Sequence, residues 1–366
     1  YMKILFTISC LSYGGAEKNL VLVANYLSER HKVIICNFNE HETNQELDKK
    51  ITCYDKNKEE TKGKFGWITL RRNQYTFLKK ICLSEKPDII VSFLAMPNAL
   101  AVLCGKKLHI PVVISERADP FKQLSKLDKI IHVIYNQADG AVFQTNGARD
   151  FYSKKLQEKS KVIPNPVVNN YSEITHDYYN INKEIVSVGR FEIIQKRQDV
   201  LLKASKIVFE KYPEYKLIFW GDGPDEDKLK ELAKELQIEN KVMFAGVTKP
   251  VLEKVNQSEI FVLSSDYEGI PNVLIEAMSI GMPCIATDCS PGGARMLLEN
   301  GKNGKIVKCG NYQELAKNIM YFIENREKEK QYGICAKKSV ERFSYSLLMK
   351  QWEDYLYSVY ENGIKI

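Results

Sequence analysis

The 366-residue sequence predicts an α/β protein made of two Rossmann-like, doubly wound parallel-sheet domains. Two observations predict it. Short runs rich in Val, Ile, Leu and Phe alternate with helix-period stretches along the chain, and strands buried on both faces have that composition. The runs also fall into two series, parted by a polar stretch around Asn165–Asn182 beside Pro164 and Pro166.

In the first series, strands are expected near Lys3–Ser9, Lys32–Phe38, Asp88–Phe93, Val112–Glu116, Gly140–Thr145 and Lys161–Ile163. In the second they are expected near Ile185–Gly189, Lys216–Gly221, Lys241–Ala245, Ile260–Ser264, Cys284–Thr287 and Gly304–Val307. A last helix is expected over Leu347–Tyr360, with Trp352, Tyr355, Leu356 and Tyr360 at helical spacing. Crossing back onto the first domain would bury those aromatics. The expected division is 1–168 for the N-terminal domain, 169–345 for the C-terminal domain and 346–366 for the returning helix.

Apolar residues at 44% and charged residues at 27% fit a soluble globular chain and exclude a disordered or fibrous one. No apolar run is long enough to span a bilayer. The opening Tyr-Met-Lys-Ile-Leu-Phe-Thr-Ile-Ser reads as a strand, not a signal peptide. Nine cysteines without a Cys-x-x-Cys pair imply a reducing, cytoplasmic setting and no structural zinc. The five histidines show no metal-ligand spacing.

Net charge is +7, and residues 49 to 86 alone hold eleven Lys or Arg against four Asp or Glu. Within that segment, residues 64 to 80 interleave bases with Phe65, Trp67, Ile68, Leu70, Tyr75, Phe77 and Leu78. Such a stretch suits an anionic membrane surface or a phosphate-bearing acceptor, or else packs its apolar side on its own domain. No nucleic-acid module is recognisable, so nucleic acid is not an expected partner.

Glu268 and Glu276 stand eight positions apart in Ser-Ser-Asp-Tyr-Glu-Gly-Ile-Pro-Asn-Val-Leu-Ile-Glu-Ala-Met. The first follows an apolar strand; the second lies inside a helix that Pro271 is expected to open as its first residue. Carboxylates accept hydrogen bonds from sugar hydroxyls, and a helix N-terminus attracts phosphate. A nucleotide sugar presents both. Arg190 and Lys196, after the first strand of the second series, are placed to reach one diphosphate. Ligands of open α/β sheets bind at the carboxyl ends of strands, where Arg190, the loop after Trp220, Gly246 and Glu268 all fall.

Gly14-Gly15 opens a helix after the first strand, as either a ligand approach or a tight turn. Without Gly-x-Gly-x-x-Gly, a nicotinamide cofactor is not expected. Asp225-Glu-Asp227 reads as acids capping and complementing a helix start, not as a metal site.

These pieces together resemble the retaining glycosyltransferases of family 4, which have the GT-B fold. The resemblance rests on Gly14-Gly15, Gly189-Arg190 with Lys196, Gly221-Asp-Gly-Pro224, the Glu268/Glu276 pair, Gly281-Met-Pro283 and Gly301-x-x-Gly304. Asp288-Cys-Ser-Pro-Gly-Gly-Ala-Arg295 looks like the subgroup that builds bacterial surface or lipid-linked glycans. The resemblance implies that Arg190 and Lys196 bind the diphosphate and Glu268 contacts the donor sugar. Gly189 and backbone from Gly269 through Ile270, Pro271 and Asn272 would face the donor. Glu276 would hold the ribose, Gly246 and Val247 would meet the base, and Gly14 and Gly15 would close over the phosphates. Where many relatives carry a sugar-contacting His, this sequence reads Ser115-Glu116-Arg117-Ala118-Asp119. Asn98, Glu116 and Arg117 are the candidate acceptor or sugar contacts.

The implied reaction is metal-independent transfer of a hexosyl or N-acetylhexosaminyl group from a nucleotide diphosphate sugar, expected to be a UDP-sugar. The implied acceptor is a saccharide hydroxyl, lipid-linked, at the inner membrane face. No cofactor is implied, because the nucleotide sugar is a substrate. The rival readings are a sugar-nucleotide epimerase of the same fold and a non-catalytic nucleotide-sugar-binding module.

Overall fold

The computed structural model of the protein describes residues 1–11, 14–39, 46–56, 66–122, 125–167, 174–248 and 250–364. The chain forms two compact units: Tyr1–Pro166 with Ser346–Ile366, and Val167–Tyr345.

The first unit holds β1 (Lys3–Ile8), β2 (Lys32–Asn37), β3 (Thr52–Asp55), β4 (Ile89–Phe93), β5 (Val112–Glu116), β6 (Gly140–Phe143) and β7 (Ser160–Val162). They form one parallel sheet in the order β3-β2-β1-β4-β5-β6-β7. Its helices are α1 (Gly15–Ser28), α2 (Gly66–Glu85), α3 (Ala95–Leu108), α4 (Lys126–Tyr135), α5 (Asn146–Phe151) and α6 (Lys154–Gln157). Crossovers between parallel strands are right-handed. The step from β1 to β2 runs opposite to the steps β3 to β4, β4 to β5 and β5 to β6. Helix α1 therefore covers one face, while α2, α3 and α4 lie side by side on the other, α3 between its neighbours. Leu5, Ile34, Ile90, Ile114 and Phe143 of the strands meet Leu78, Ile81, Ile131 and Tyr135 beneath that helix layer.

The second unit holds β8 (Asn182–Val188), β9 (Lys216–Trp220), β10 (Val242–Phe244), β11 (Ser258–Leu263), β12 (Cys284–Thr287) and β13 (Lys305–Val307). They form a parallel sheet in the order β10-β9-β8-β11-β12-β13. Its helices are α7 (Ile193–Lys196), α8 (Gln198–Lys211), α9 (Glu226–Glu235), α10 (Leu252–Val255), α11 (Asn272–Ser279), α12 (Gly293–Leu297), α13 (Tyr312–Glu324) and α14 (Arg326–Ser339). Ile185, Leu217, Phe219, Ile260 and Val262 pack on Leu201, Leu315 and Ile319.

The last helix, α15 (Tyr345–Ile364), returns to the first unit. Trp352 is fully buried and stacks on Phe93 at 5.8 Å between ring centroids. Tyr355 accepts from the Ala141 amide at 2.9 Å, and its hydroxyl donates to the Lys159 carbonyl at 2.5 Å.

The expected strands recur with ends shifted by up to three residues, the largest shift being the start of β8 at Asn182 rather than Ile185. One strand was not expected: β3, whose Thr-Cys-Tyr-Asp lacks an apolar run and sits half exposed at the sheet edge. Pro271 precedes α11 in extended conformation rather than forming its first residue. Ser12, Tyr13, Lys64, Phe65 and residues 168–173 of the expected interdomain stretch lie outside the described residues.

The basic stretch also divides in the structure. Leu78, Ile81 and Cys82 of α2 enter the core, with Tyr75 and Phe77 packed against it, so among the described large apolar side chains named for that stretch only Trp67 and Ile68 stay exposed.

Candidate functional site

The parallel sheet of the second unit puts every strand's carboxyl end on one edge, so the loops after β8, β9, β10, β11 and β12 gather there. A cavity of about 770 Å³ opens among Gly189, Arg190, Trp220, Gly221–Pro224, Val247 and Thr248.

Glycine makes this edge possible. Gly189 N–H donates to the Trp220 carbonyl at 2.9 Å, and Gly221 N–H to the Gly246 carbonyl at 2.9 Å. A Cβ on Gly221 would collide with the Gly189 carbonyl. Gly246 turns with a φ of 75°, which favours glycine. The segment after Arg190 is then tied down: Phe191 N–H donates to Asp222 O at 2.7 Å, and Ile193 N–H to Asp225 Oδ2 at 2.9 Å. Contrary to the expected cap, the Asp225 side chain makes no capping bond to α9 but holds the neighbouring loop and pairs with Lys228 at 2.7 Å. The Lys228 bond leads the causes that hold its carboxyl below the usual range.

Lys196 and Glu268, 72 positions apart, meet directly: Lys196 Nζ lies 2.6 Å from Glu268 Oε1. Ser265 Oγ donates to the same oxygen at 2.7 Å, and Glu268 is buried. The loops bearing them are laced together. Asp266 N–H donates to the Gln195 carbonyl at 2.8 Å, Ser264 Oγ to the Lys196 carbonyl at 2.8 Å, and Gln195 Nε2 to the Tyr267 carbonyl at 3.2 Å. Arg197 adds bonds to Asp199 at 3.0 and 3.2 Å and to Asp266 at 2.7 Å. Hydrogen bonding to Asp199 leads the causes that raise its pKa further.

Loop 268–271 leans on the loop after β12. Glu268 N–H donates to the Ser290 carbonyl at 2.8 Å, and a Cβ on Gly293 would collide with the Gly269 carbonyl and crowd Ile270 Cα and the Pro271 ring. Asn272 begins α11, and Glu276 stands half-buried a little over one turn in. Arg190 is exposed at the cavity wall. In the first unit, Gly14 and Gly15 are exposed at the start of α1, where Lys18 N–H donates to the Gly14 carbonyl at 3.0 Å.

The structure thus brings Lys196 and Glu268 into contact, sets Gly189, Arg190 and Val247 around one cavity with Gly246 at the adjoining turn, and lays Gly269, Ile270 and Pro271 against Gly293. Sequence reasoning did not assign roles to Ser265, Asp266 or Arg197. The acid at Asp199 beside Gln195-Lys196-Arg197 was the available signal for Arg197.

Asn98, Glu116 and Arg117 are the candidate acceptor or sugar contacts of the sequence. All three are buried in the first unit. Glu116 accepts from the Arg117 and Ala118 amides at 3.0 and 3.3 Å and from Tyr135 Oη at 2.9 Å, and Asn98 Nδ2 donates to the Ser115 carbonyl at 3.1 Å. Arg117 donates to Asn19 Oδ1 at 2.8 Å and Asn165 Oδ1 at 3.2 Å, with its guanidinium 5.2 Å from the Phe93 ring centre and 5.5 Å from that of Trp352. Burial pushes the Glu116 carboxyl up and the Arg117 guanidinium down to about 9. Among the described residues, Asn98 Oδ1 and Arg117 Nε are left without a hydrogen-bond partner. Among the described residues, no group of three or more His, Cys, Asp or Glu is arranged to hold a metal ion.

Two family models match the sequence. One, described as Glycosyl transferases group 1, matches residues 176–339, and one described as Glycosyltransferase Family 4 matches residues 13–170. An uncharacterized glycosyltransferase of Methanocaldococcus jannaschii is 31% identical over 69% of this chain and 68% of its own. A second relative is the GalNAc-alpha-(1->4)-GalNAc-alpha-(1->3)-diNAcBac-PP-undecaprenol alpha-1,4-N-acetyl-D-galactosaminyltransferase of Campylobacter jejuni. It is 27% identical over 96% of this chain and 97% of its own. Among solved structures, Anabaena Alr3699/HepE in complex with UDP and glucose superposes with a TM-score of 0.80 at 21% identity, covering 98% of this chain and 100% of that one. That likeness shows the fold.

Proposed function

Because this chain belongs to the family-4 glycosyltransferases and has the GT-B fold, we propose that it moves a hexosyl or N-acetylhexosaminyl group from a UDP-sugar to a lipid-linked saccharide. The anomeric configuration is retained, and the glycan built is a bacterial surface or lipid-linked one. The observation that carries this reading is the Lys196–Glu268 contact of 2.6 Å on the same strand-end edge as Arg190 and the cavity. The Campylobacter relative's name specifies an undecaprenol-linked acceptor, and the Anabaena protein was solved with UDP, which favours these two substrate classes.

In this reading Arg190 and Lys196 hold the diphosphate. An ammonium has three donors, so Lys196 can keep Glu268 while taking a phosphate oxygen. Lys196 and Ser265 both donate to Oε1 of Glu268, and Oε2 is the oxygen offered to a sugar hydroxyl. Gly269, Ile270, Pro271 and Asn272 line the sugar and phosphate from their backbone, Glu276 takes the ribose, and Gly246 and Val247 meet the base. The acceptor oxygen bonds to the anomeric carbon on the face the diphosphate leaves, as the carbon–oxygen bond to phosphate breaks. The departing phosphate oxygen takes the acceptor proton. Cations set in advance where this charge develops supply the main stabilisation.

The reaction needs no metal or cofactor in this reading, and it runs at the inner face of a membrane to which the protein binds peripherally. Among the described residues no helix is long and apolar enough to cross a membrane. The test is transfer assayed across UDP-, GDP- and ADP-sugars with a lipid-linked acceptor, with the product linkage read by NMR. An inverted linkage, or nucleotide release without transfer, overturns it.

A further inference from the structure

The basic apolar stretch of the sequence buries most of its apolar side, yet the helix layer that contains it carries an apolar surface elsewhere. Phe121 is 46% exposed, and on α4 Leu127, Ile130 and Val133 are 44%, 58% and 65% exposed. The three α4 residues recur at i, i+3 and i+6 on the side away from Ile131 and Tyr135, which are buried. Lys122, Lys126 and Lys129 are exposed beside them. The lone acid of α4, Asp128, is occupied by the helix start: it accepts from Ser125 N–H at 2.9 Å and Ser125 Oγ at 2.6 Å.

We infer that Phe121 and the outer face of α4 dock onto an anionic lipid bilayer, with the apolar side chains entering the headgroup boundary and the lysines reaching lipid phosphates. Charge selects this occupant. Helices α2, α3 and α4 share one face of the sheet, and between them carry Arg71, Arg72, Lys79, Lys80, Lys106, Lys107, Lys126 and Lys129 against only Glu85 and Asp128. Glu85 is itself bonded to Tyr54 and Lys32 at 2.8 and 3.1 Å. A second copy of the chain would set lysines against lysines across a two-fold interface, whereas an anionic surface meets the whole layer with opposite charge. Apolar side chains flanked by lysines on one helix are the pattern of interfacial helices.

Placement agrees with use. Phe121 and the start of α4 follow the carboxyl end of β5, the edge where open sheets take ligands. Docking there holds that edge at the headgroups, where a lipid-linked acceptor presents its saccharide. This docking rests on the lipid-linked reading of the acceptor, but it is measured without turnover.

The test is sedimentation of the full chain with vesicles of equimolar phosphatidylglycerol and phosphatidylcholine, and with phosphatidylcholine alone. The chain should pellet with the first and not the second. Lys126→Glu with Lys129→Glu should lower partitioning by about thirtyfold or more, from the surface-charge term of each lysine. Ile130→Asp with Val133→Asp should abolish it, while Arg72→Glu with Lys80→Glu should weaken it less. Phe121→Trp provides a second reading, because indole emission should shift to the blue on adding anionic vesicles. The α4 variants should melt like the parent and keep turnover on a soluble saccharide acceptor. A parent chain left in the supernatant, equal pelleting with neutral lipid, α4 variants that pellet like the parent, or unshifted indole emission from the Phe121→Trp variant each overturns the docking. Inactivity on every acceptor would instead sink the proposed transfer and leave the vesicle result standing.

Discussion

Arg197 Nη1 lies 2.7 Å from Asp266 Oδ2, and Arg197 holds that contact from a backbone φ of 49°. A side chain in left-handed backbone is disfavoured by about 1 kcal/mol, so the ion pairs to Asp199 and Asp266 hold a strained residue. Its neighbour is Lys196, and Asp266 stands two residues before Glu268. The same staple therefore sets the spacing of the loops on which Lys196 meets Glu268.

Arg197→Ala should lower unfolding stability by about 2 kcal/mol, since it removes the ion pairs and keeps the strained backbone. Arg197→Gly loses the same pairs but relieves φ, and should be less destabilised than Ala by about 1 kcal/mol. Urea denaturation of the three proteins measures this. A glycine variant weaker than the alanine variant would contradict the strain.

Arg190 and Lys196 should separate in stability while agreeing in turnover. Each to Ala is expected to cut transfer by about a hundredfold. Arg190 is exposed, so its loss should leave the melting curve nearly unchanged. Lys196→Ala leaves the buried Glu268 carboxylate with a single hydroxyl on Oε1 and should cost about 2 kcal/mol. Calorimetry beside a transfer assay tests the pair; near-normal turnover in both variants would remove them from the reaction.

Gly221→Ala should damage the cavity itself. The added Cβ meets the Gly189 carbonyl, so the loop after β8 must move away from the loop after β9. Isothermal titration with UDP should show binding weakened by about tenfold or more while the far-ultraviolet spectrum stays unchanged. Unaltered UDP affinity would place the nucleotide elsewhere.

Two buried groups in the second unit give opposite pH slopes. Burial lowers His176 to about 4. Its Nδ1 donates to the Asn256 carbonyl at 3.0 Å, and its buried Nε2 has no hydrogen-bond partner among the described residues. The unfolded chain binds that proton first, so the stability His176 contributes is present above about pH 6.5 and is lost towards pH 4, a loss of about 3 kcal/mol that His176→Gln should flatten. Burial and the nearby Glu259 raise Glu329 to about 8, although Arg326 bridges both carboxylates. Here the folded protein holds the proton, so its contribution falls as pH rises from about 4.5 to 8, and Glu329→Gln should gain on the parent across that window. Urea midpoints of parent and variants from acid to neutral pH would expose a wrong sign in either case.

Much of the architecture was legible along the chain. The apolar runs at Lys3–Ile8, Ile89–Phe93 and Ser258–Leu263 declare buried strands, and their alternation with helices declares parallel sheets. The spacing of Glu268 and Glu276 around a helix start, and the glycines at 189, 221 and 246, are local features that repeat in the structure as loops at strand ends. β3 escaped because an exposed edge strand needs no apolar run.

Other matters were decided only in three dimensions. Glu116 and Arg117 are neighbours at the end of β5, and only the fold closes Asn19, Asn165, Tyr135 and the ring of Trp352 around them from distant positions. Helical period alone could not say that Leu78 of α2 turns inward while Ile130 of α4 stays in solvent. By itself the sequence determined which segments become strands and helices, because side-chain period and backbone preference act over a few residues. The tertiary structure decided which charges meet and which apolar faces remain uncovered, because those depend on strands and loops far apart in the chain arriving at the same edge of a sheet.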